Sequence, residues 1–118
     1  MKWFLVKYFY QIISGDGNYN TQFDEQLRLI IASSANDALK KAEDMADGFQ
    51  PPFKNCNNEM VTWKFICVAD IHEIQMPEDG AEVASILHEP NDVASFLDAI
   101  AQRKAFLKQH IENEFTLI

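Results

Sequence analysis

Residues 2–13 alternate as a strand with two apolar faces would. Phe4, Val6, Tyr8, Tyr10 and Ile12 fall on one side, and Trp3, Leu5, Lys7, Phe9, Gln11 and Ile13 on the other. A strand apolar front and back expects cover on both sides along much of its length. Ser14 to Asn20 is dense in Gly and Asn, which tolerate the positive φ of hairpin turns. A second strand is predicted from about Thr21 to Ala32. Phe23, Leu27, Leu29 and Ile31 share one of its faces, and Gln22, Asp24, Gln26 and Arg28 the other. That alternation reads as apolar inward and polar outward.

The period then changes. From Ser33-Ser34, with Ser34 as cap and Asp37 three residues on, Ala35, Ala38, Leu39, Ala42, Met45, Ala46 and Phe49 recur at helical spacing. The mostly alanine face lets this helix lie close to a sheet. Gly48 suits its C-terminal cap, and Pro51-Pro52 forbids continuation. Met60–Ile74 is the most strand-like segment, with Val61, Trp63, Phe65 and Cys67 alternating with Thr62, Lys64, Ile66 and Val68. Phe53-Lys54 is a short partner for it across an Asn-rich turn. Residues 81–87 fit either a strand or a short helix. A second helix starts at Pro90-Asn91-Asp92 and runs to about Asn113, with Val93, Phe96, Leu97, Ile100, Leu107 and Ile111 as its stripe, interrupted by Arg103 and Lys104. Phe106 falls off that stripe. The order β-β-α-(β)-β-(β)-α predicts an α+β fold. It has an antiparallel, or mixed, sheet of three to five strands with two helices.

The totals narrow the picture. A chain of 118 residues is one domain's worth (1–118), with enough apolar content, 47%, for a single core without staples. The net charge is −8, from 18 acidic and 10 basic side chains. Nucleic acid and anionic membranes are disfavoured partners, because the tightest basic pairs, Lys40-Lys41 and Arg103-Lys104, make no patch. A basic protein partner, or simple solubility, suits the charge better. Two cysteines, Cys56 and Cys67, make neither a disulfide framework nor a zinc site, and fit a reducing compartment. The opening Met1–Val6 resembles a signal peptide, but Lys7 interrupts it and no small-residue cleavage site follows. No stretch is long enough for a membrane span. The expectation is a cytoplasmic protein.

Candidate chemistry is sparse. Asp16 to Asn20 begins like a calcium loop, but Thr21 and Leu27 stand where glycine and glutamate are needed, so a plain turn is preferred. Asp70, His72 and Glu73 end the central strand, with Asp70 and His72 on one face; beside them Trp63 or Tyr8 would supply an apolar wall for a ligand. Asp24 and Arg28 form a surface pair on one strand face. Glu78, Asp79 and Glu82 add carboxylates that would join Asp70 and Glu73 only if the chain brought them together. No phosphate loop, nucleophile elbow or HExxH is present, so neither a cofactor nor a metal is expected. The aromatics speak louder: nine Phe, three Tyr and two Trp, five of them in the first strand. With both helices on one sheet face, the other, carrying Trp3, Leu5 and Phe9 or their even-numbered counterparts, has nothing left to cover it. Phe106 is a further interface candidate. The preferred reading is a non-enzymatic, self-associating module, a homodimer. The alternatives are a ligand-binding or catalytic domain at the end of the central strand, and an acidic antagonist of a basic partner.

Read in order, certain residues resemble one known family. Trp3-Phe4-Leu5-Val6-Lys7 leads to Gly15-Asp16-Gly17, then Phe23 to Ile30, then Ala32-Ser33-Ser34 with Asp37-Ala38-Leu39 and Lys41-Ala42. Val61-x-Trp63-x-Phe65-Ile66-x-Val68-x-Asp70-Ile71-x-Glu73-Ile74 follows, and Asp79-Gly80-Ala81-Glu82-Val83 closes the run. This resembles the domain-of-unknown-function family numbered 4288, over roughly residues 1–88, with the segment 89–118 and its helix outside it. Members usually carry a glycine before the Val-x-Trp strand, where Asn58-Glu59 stands here; Asn also reaches αL, so the turn is expected to survive. The resemblance implies a small bacterial protein and supplies no activity, cofactor or catalytic residue.

Overall fold

The computed structural model describes residues 1–18 and 20–116, with side chains through Asn113. Tyr19, in the predicted turn, lies outside them. The chain divides into two compact units, Met1–Ser85 and Ile86–Ile118. The first holds β1 (Lys2–Ser14), β2 (Gln22–Ala32), α1 (Ala35–Met45), a 3-10 turn (Ala46–Gly48), β3 (Phe53–Lys54) and β4 (Met60–Ile74). The second holds α2 (Val93–Thr116). The sheet is wholly antiparallel, in the order β2-β1-β4-β3. The α+β class, its two helices and its four strands agree with the sequence reading.

β1 is central, and α1 lies on its even-numbered face. Phe4, Val6, Tyr8 and Tyr10 form one buried cluster with Ile30, Ala32, Ala38, Ala42 and Ala46. The alanines of α1 let its backbone approach, and two tyrosines use the closeness. Tyr8 donates its hydroxyl to the Ala42 carbonyl at 2.7 Å, and Tyr10 to the Ala46 carbonyl at 2.6 Å. These carbonyls belong to the end of the helix, where backbone acceptors lack intrahelical donors. The strand thus caps the helix. At the other end Ser34 accepts from the Asp37 amide at 3.1 Å, as its spacing predicted.

Several expectations are corrected. Gly48 is not a left-handed cap: the helix tightens into the 3-10 turn, and Gly48 is absent from the positive-φ glycines. Residues 81–87 are neither strand nor helix. β4 does not keep a strict alternation, because its register against β1 slips twice, between Lys7 and Tyr8 and between Phe9 and Tyr10. Each bulge adds a residue and reverses the phase. Val68 and Ile71 therefore join Val61, Trp63 and Phe65 on the α1 side, and Cys67 moves opposite Phe9.

The largest correction concerns β2, whose polar face looks inward. Register places Arg28 beside Val6, Gln26 beside Tyr8 and Asp24 beside Tyr10, all on the α1 side. Arg28 lies 3.7 Å over the Phe49 ring and donates to Gln26, not to Asp24. Gln26 donates to Asp24 and to Gln50, and Asp24 also accepts from the Trp63 indole at 3.0 Å. β2 is an edge strand, so this network closes the rim of the core where water is near. The predicted hairpin turn forms, with Gly15 and Gly17 at positive φ and the Gly15 amide donating to Met60 at 2.9 Å. Asn58 takes φ 63°, the left-handed conformation expected of it.

Candidate functional site

The odd-numbered side of the sheet is the candidate. The one α-helix among the described residues of this unit lies on the opposite face. Across the odd side, β1 contributes Trp3, Leu5, Lys7, Phe9, Gln11 and Ile13; register sets Ile31, Leu29, Leu27, Glu25 and Phe23 beside the first five. β4 contributes Ile74, His72, Asp70, Cys67, Lys64 and Thr62. Phe23, Leu27 and Leu29 are exposed by 60%, 58% and 45%. Trp3, Phe9, Ile13 and Ile31 are half-buried. Leu5 is only 6% exposed, so it supports this face more than it offers itself to a partner. Polar groups interrupt the apolar surface: the ion pair of Lys7 with Glu25 at 3.1 Å, Asp70 in register beside Lys7, and Gln11 and His72 further along. Alternation marks the apolar row of β2 as a face without saying which side the helix takes, so the sequence pattern alone points to core where the structure has surface.

The polar candidates do not gather into one site. Asp70 and His72 share the odd face; Glu73 pairs with Phe4 on the other and lies 3.6 Å from Lys2. Tyr8 is fully buried and Trp63 is committed to Asp24. Burial, and then the neighbouring Tyr10, push the Tyr8 phenol up to about 12 against a smaller opposing pull from Arg28. Burial raises Tyr10 as well. Both phenols are thereby kept neutral, as donors to the helix end. His72 Nε2 lies 3.1 Å from the Val83 carbonyl. A carbonyl can only accept, so Nε2 is the donor of this contact. A shallow cavity of about 350 Å³ adjoins it, lined by His72, Glu73, Gln75 and the 82–85 segment. Among the described residues no group of three or more His, Cys, Asp or Glu side chains is placed to hold a metal ion.

The sequence pattern of one family, Domain of unknown function (DUF4288), matches residues 3–85. The chain belongs to that family. No curated protein and no solved structure matches it. The DUF4288 match ends at the last residue of the first compact unit, so the family pattern covers the sheet and α1, and α2 lies beyond it. The DUF4288 motif residues serve the fold at several points: Ser34 caps α1, Trp63 ties β4 to β2, and Gly15 and Gly17 shape the hairpin turn. Among the described residues, no helix is long and apolar enough to cross a membrane. Phe106, in α2, is exposed and stacks on His110 with ring centroids 6.4 Å apart.

Proposed function

We propose that this protein is a non-enzymatic assembly module that associates with a second copy of itself through the odd face of its sheet. The observation that carries the reading is the exposed row Phe23, Leu27 and Leu29 beside the half-buried Trp3 and Phe9. Exposed apolar surface of this kind marks an interaction site. A two-fold pair of such faces would interdigitate as the layers of a β-sandwich do. Three strands about 4.8 Å apart, running the 11 residues of β2 at about 3.4 Å each, make a face of roughly 500 Å². Two faces would hide roughly 1,000 Å², the lower bound of a specific interface. Both cysteines are free and exposed, which suits the reducing cytoplasm of a bacterium as its setting.

Sizing with light scattering tests the reading. The wild-type chain is expected to run as a dimer at micromolar concentration, and Phe23→Glu with Leu27→Glu as a monomer of unchanged fold. A wild-type monomer under those conditions overturns it. The cavity beside His72 supports a second reading, a small-ligand site with His72 in its wall. A thermal-shift screen in which no compound moves the wild-type protein differently from His72→Ala removes that reading.

A further inference from the structure

We infer that β2 also pairs edge to edge with the β2 of a second copy, antiparallel about a two-fold axis at Gln26, so that two sheets become one. The inference goes beyond the sheet-face reading, because it uses the rim of the sheet and its backbone. The two rims differ. β3 is two residues long and follows Pro51-Pro52, so that edge is blunted. β2 is 11 residues long, holds no proline and pairs with β1 without a bulge. Two contacts say which of its backbone groups are open. The Gly15 amide donates to Met60 of β4, and β1 keeps its alternation because the extra residues of both bulges belong to β4. Odd residues of β1 therefore turn their backbone groups to β4, and even residues turn theirs to β2. In β2 the even residues, in register with the even residues of β1, bond inward. Phe23, Glu25, Leu27, Leu29 and Ile31 present their backbone groups outward. Lys41 agrees: its ammonium takes the Ile31 carbonyl at 2.9 Å, and the open run ends there.

Charge chooses the occupant and the register. Open groups must meet open groups, so odd residues face odd residues across the new pair. Asp24 and Arg28 stand on the inner face, and charges at an edge deter a strand that cannot answer them. A second copy answers both. With Gln26 on the axis, Asp24 lies opposite the partner's Arg28, and Arg28 opposite the partner's Asp24. Phe23 lies opposite the partner's Leu29, and Glu25 opposite the partner's Leu27. The two Glu25 side chains are only diagonal neighbours, and each keeps its own Lys7 at 3.1 Å. Moving the axis to Glu25 sets the two Glu25 face to face, and moving it to Leu27 sets Asp24 against the partner's Ile30. The inner pair has capacity to spare. Among the described residues Asp24 accepts through Oδ2, and Arg28 donates through Nε and Nη2. Oδ1 and Nη1 are the atoms left for the partner. About eight backbone hydrogen bonds would close the rim, from Phe23, Glu25, Leu27 and Leu29 of each copy.

Amide hydrogen exchange of the full chain, read by NMR in dilute and concentrated samples, is the first test. The amides of Phe23, Glu25, Leu27 and Leu29 are expected to gain tenfold or more protection on concentration. Those of Gln26 and Arg28, bonded to β1, should barely change. Rim amides that stay open in the associated protein overturn the inference. They leave the sheet-face reading standing, because a face-paired dimer keeps both rims free. Cross-linking in a chain with Cys56→Ser and Cys67→Ser fixes the register. The two residues at the axis form a non-hydrogen-bonded pair with Cα atoms about 4.5 Å apart, within disulfide reach. Gln26→Cys is therefore expected to form a disulfide dimer under mild oxidation. Asp24→Cys and Arg28→Cys chains are expected to join each other when mixed, and not themselves. No Gln26→Cys cross-link in a chain of unchanged circular dichroism, or Asp24→Cys chains joined to themselves, overturns the pairing. Failure of the sheet-face reading looks different: the cross-linked Gln26→Cys dimer would then gather into nothing larger, although its odd faces are free.

Discussion

Two tyrosines show how much of this fold rests on single atoms. Tyr8 and Tyr10 are buried with their hydroxyls on α1 carbonyls. Tyr8→Phe keeps the ring and strands a buried acceptor, so it is expected to cost about 1–3 kcal/mol in urea unfolding. Alkali should reach the same groups. A folded-state phenol raised above its unfolded value of 10.0 to about 12 keeps its stabilising effect below pH 10 and loses it as pH rises to 12. Stability measured across that window should fall, and should fall less in Tyr8→Phe. The sequence showed Tyr8 and Tyr10 on one strand face. It did not show their acceptors, which lie more than thirty residues away in the chain.

At the scale of elements, β1 and α1 behave as their periods say, and β2 and β4 do not. Ile30 and Leu29 are neighbours in one strand, yet their fates differ. Ile30 is 2% exposed under α1, so Ile30→Ala is expected to cost about 2–5 kcal/mol. Leu29→Gln on the odd face should change monomer stability by no more than about 0.5 kcal/mol. It should instead weaken association, read by sizing with light scattering. An apolar-inward β2 would give the reverse: a heavy loss of stability in Leu29→Gln would place that side chain in the core. The strand's identity was legible from its alternation. The side facing the helix was not, because Gln26, Arg28 and Asp24 satisfy one another and Trp63 only after β4 and the turn at Phe49 arrive. The bulges in β4 were equally invisible, since they are a compromise between two strands.

For the whole molecule, charge opposes the association that apolar surface favours. Each copy carries −8, so two copies repel at low ionic strength. Added salt should therefore tighten the dimer, seen as a lower dissociation constant by analytical ultracentrifugation. Weakening by salt would indicate an interface held by ion pairs such as Lys7 with Glu25 in place of apolar contact. By itself the sequence determined the four strands, the helices, the Ser34 cap and the surplus of apolar faces, because these follow from local period and backbone preference. The candidate site needed the tertiary structure. Which face of the sheet α1 covers, and hence whether Phe23, Leu27 and Leu29 are core or surface, depends on register and bulges between strands far apart in the chain, and no local pattern encodes that choice.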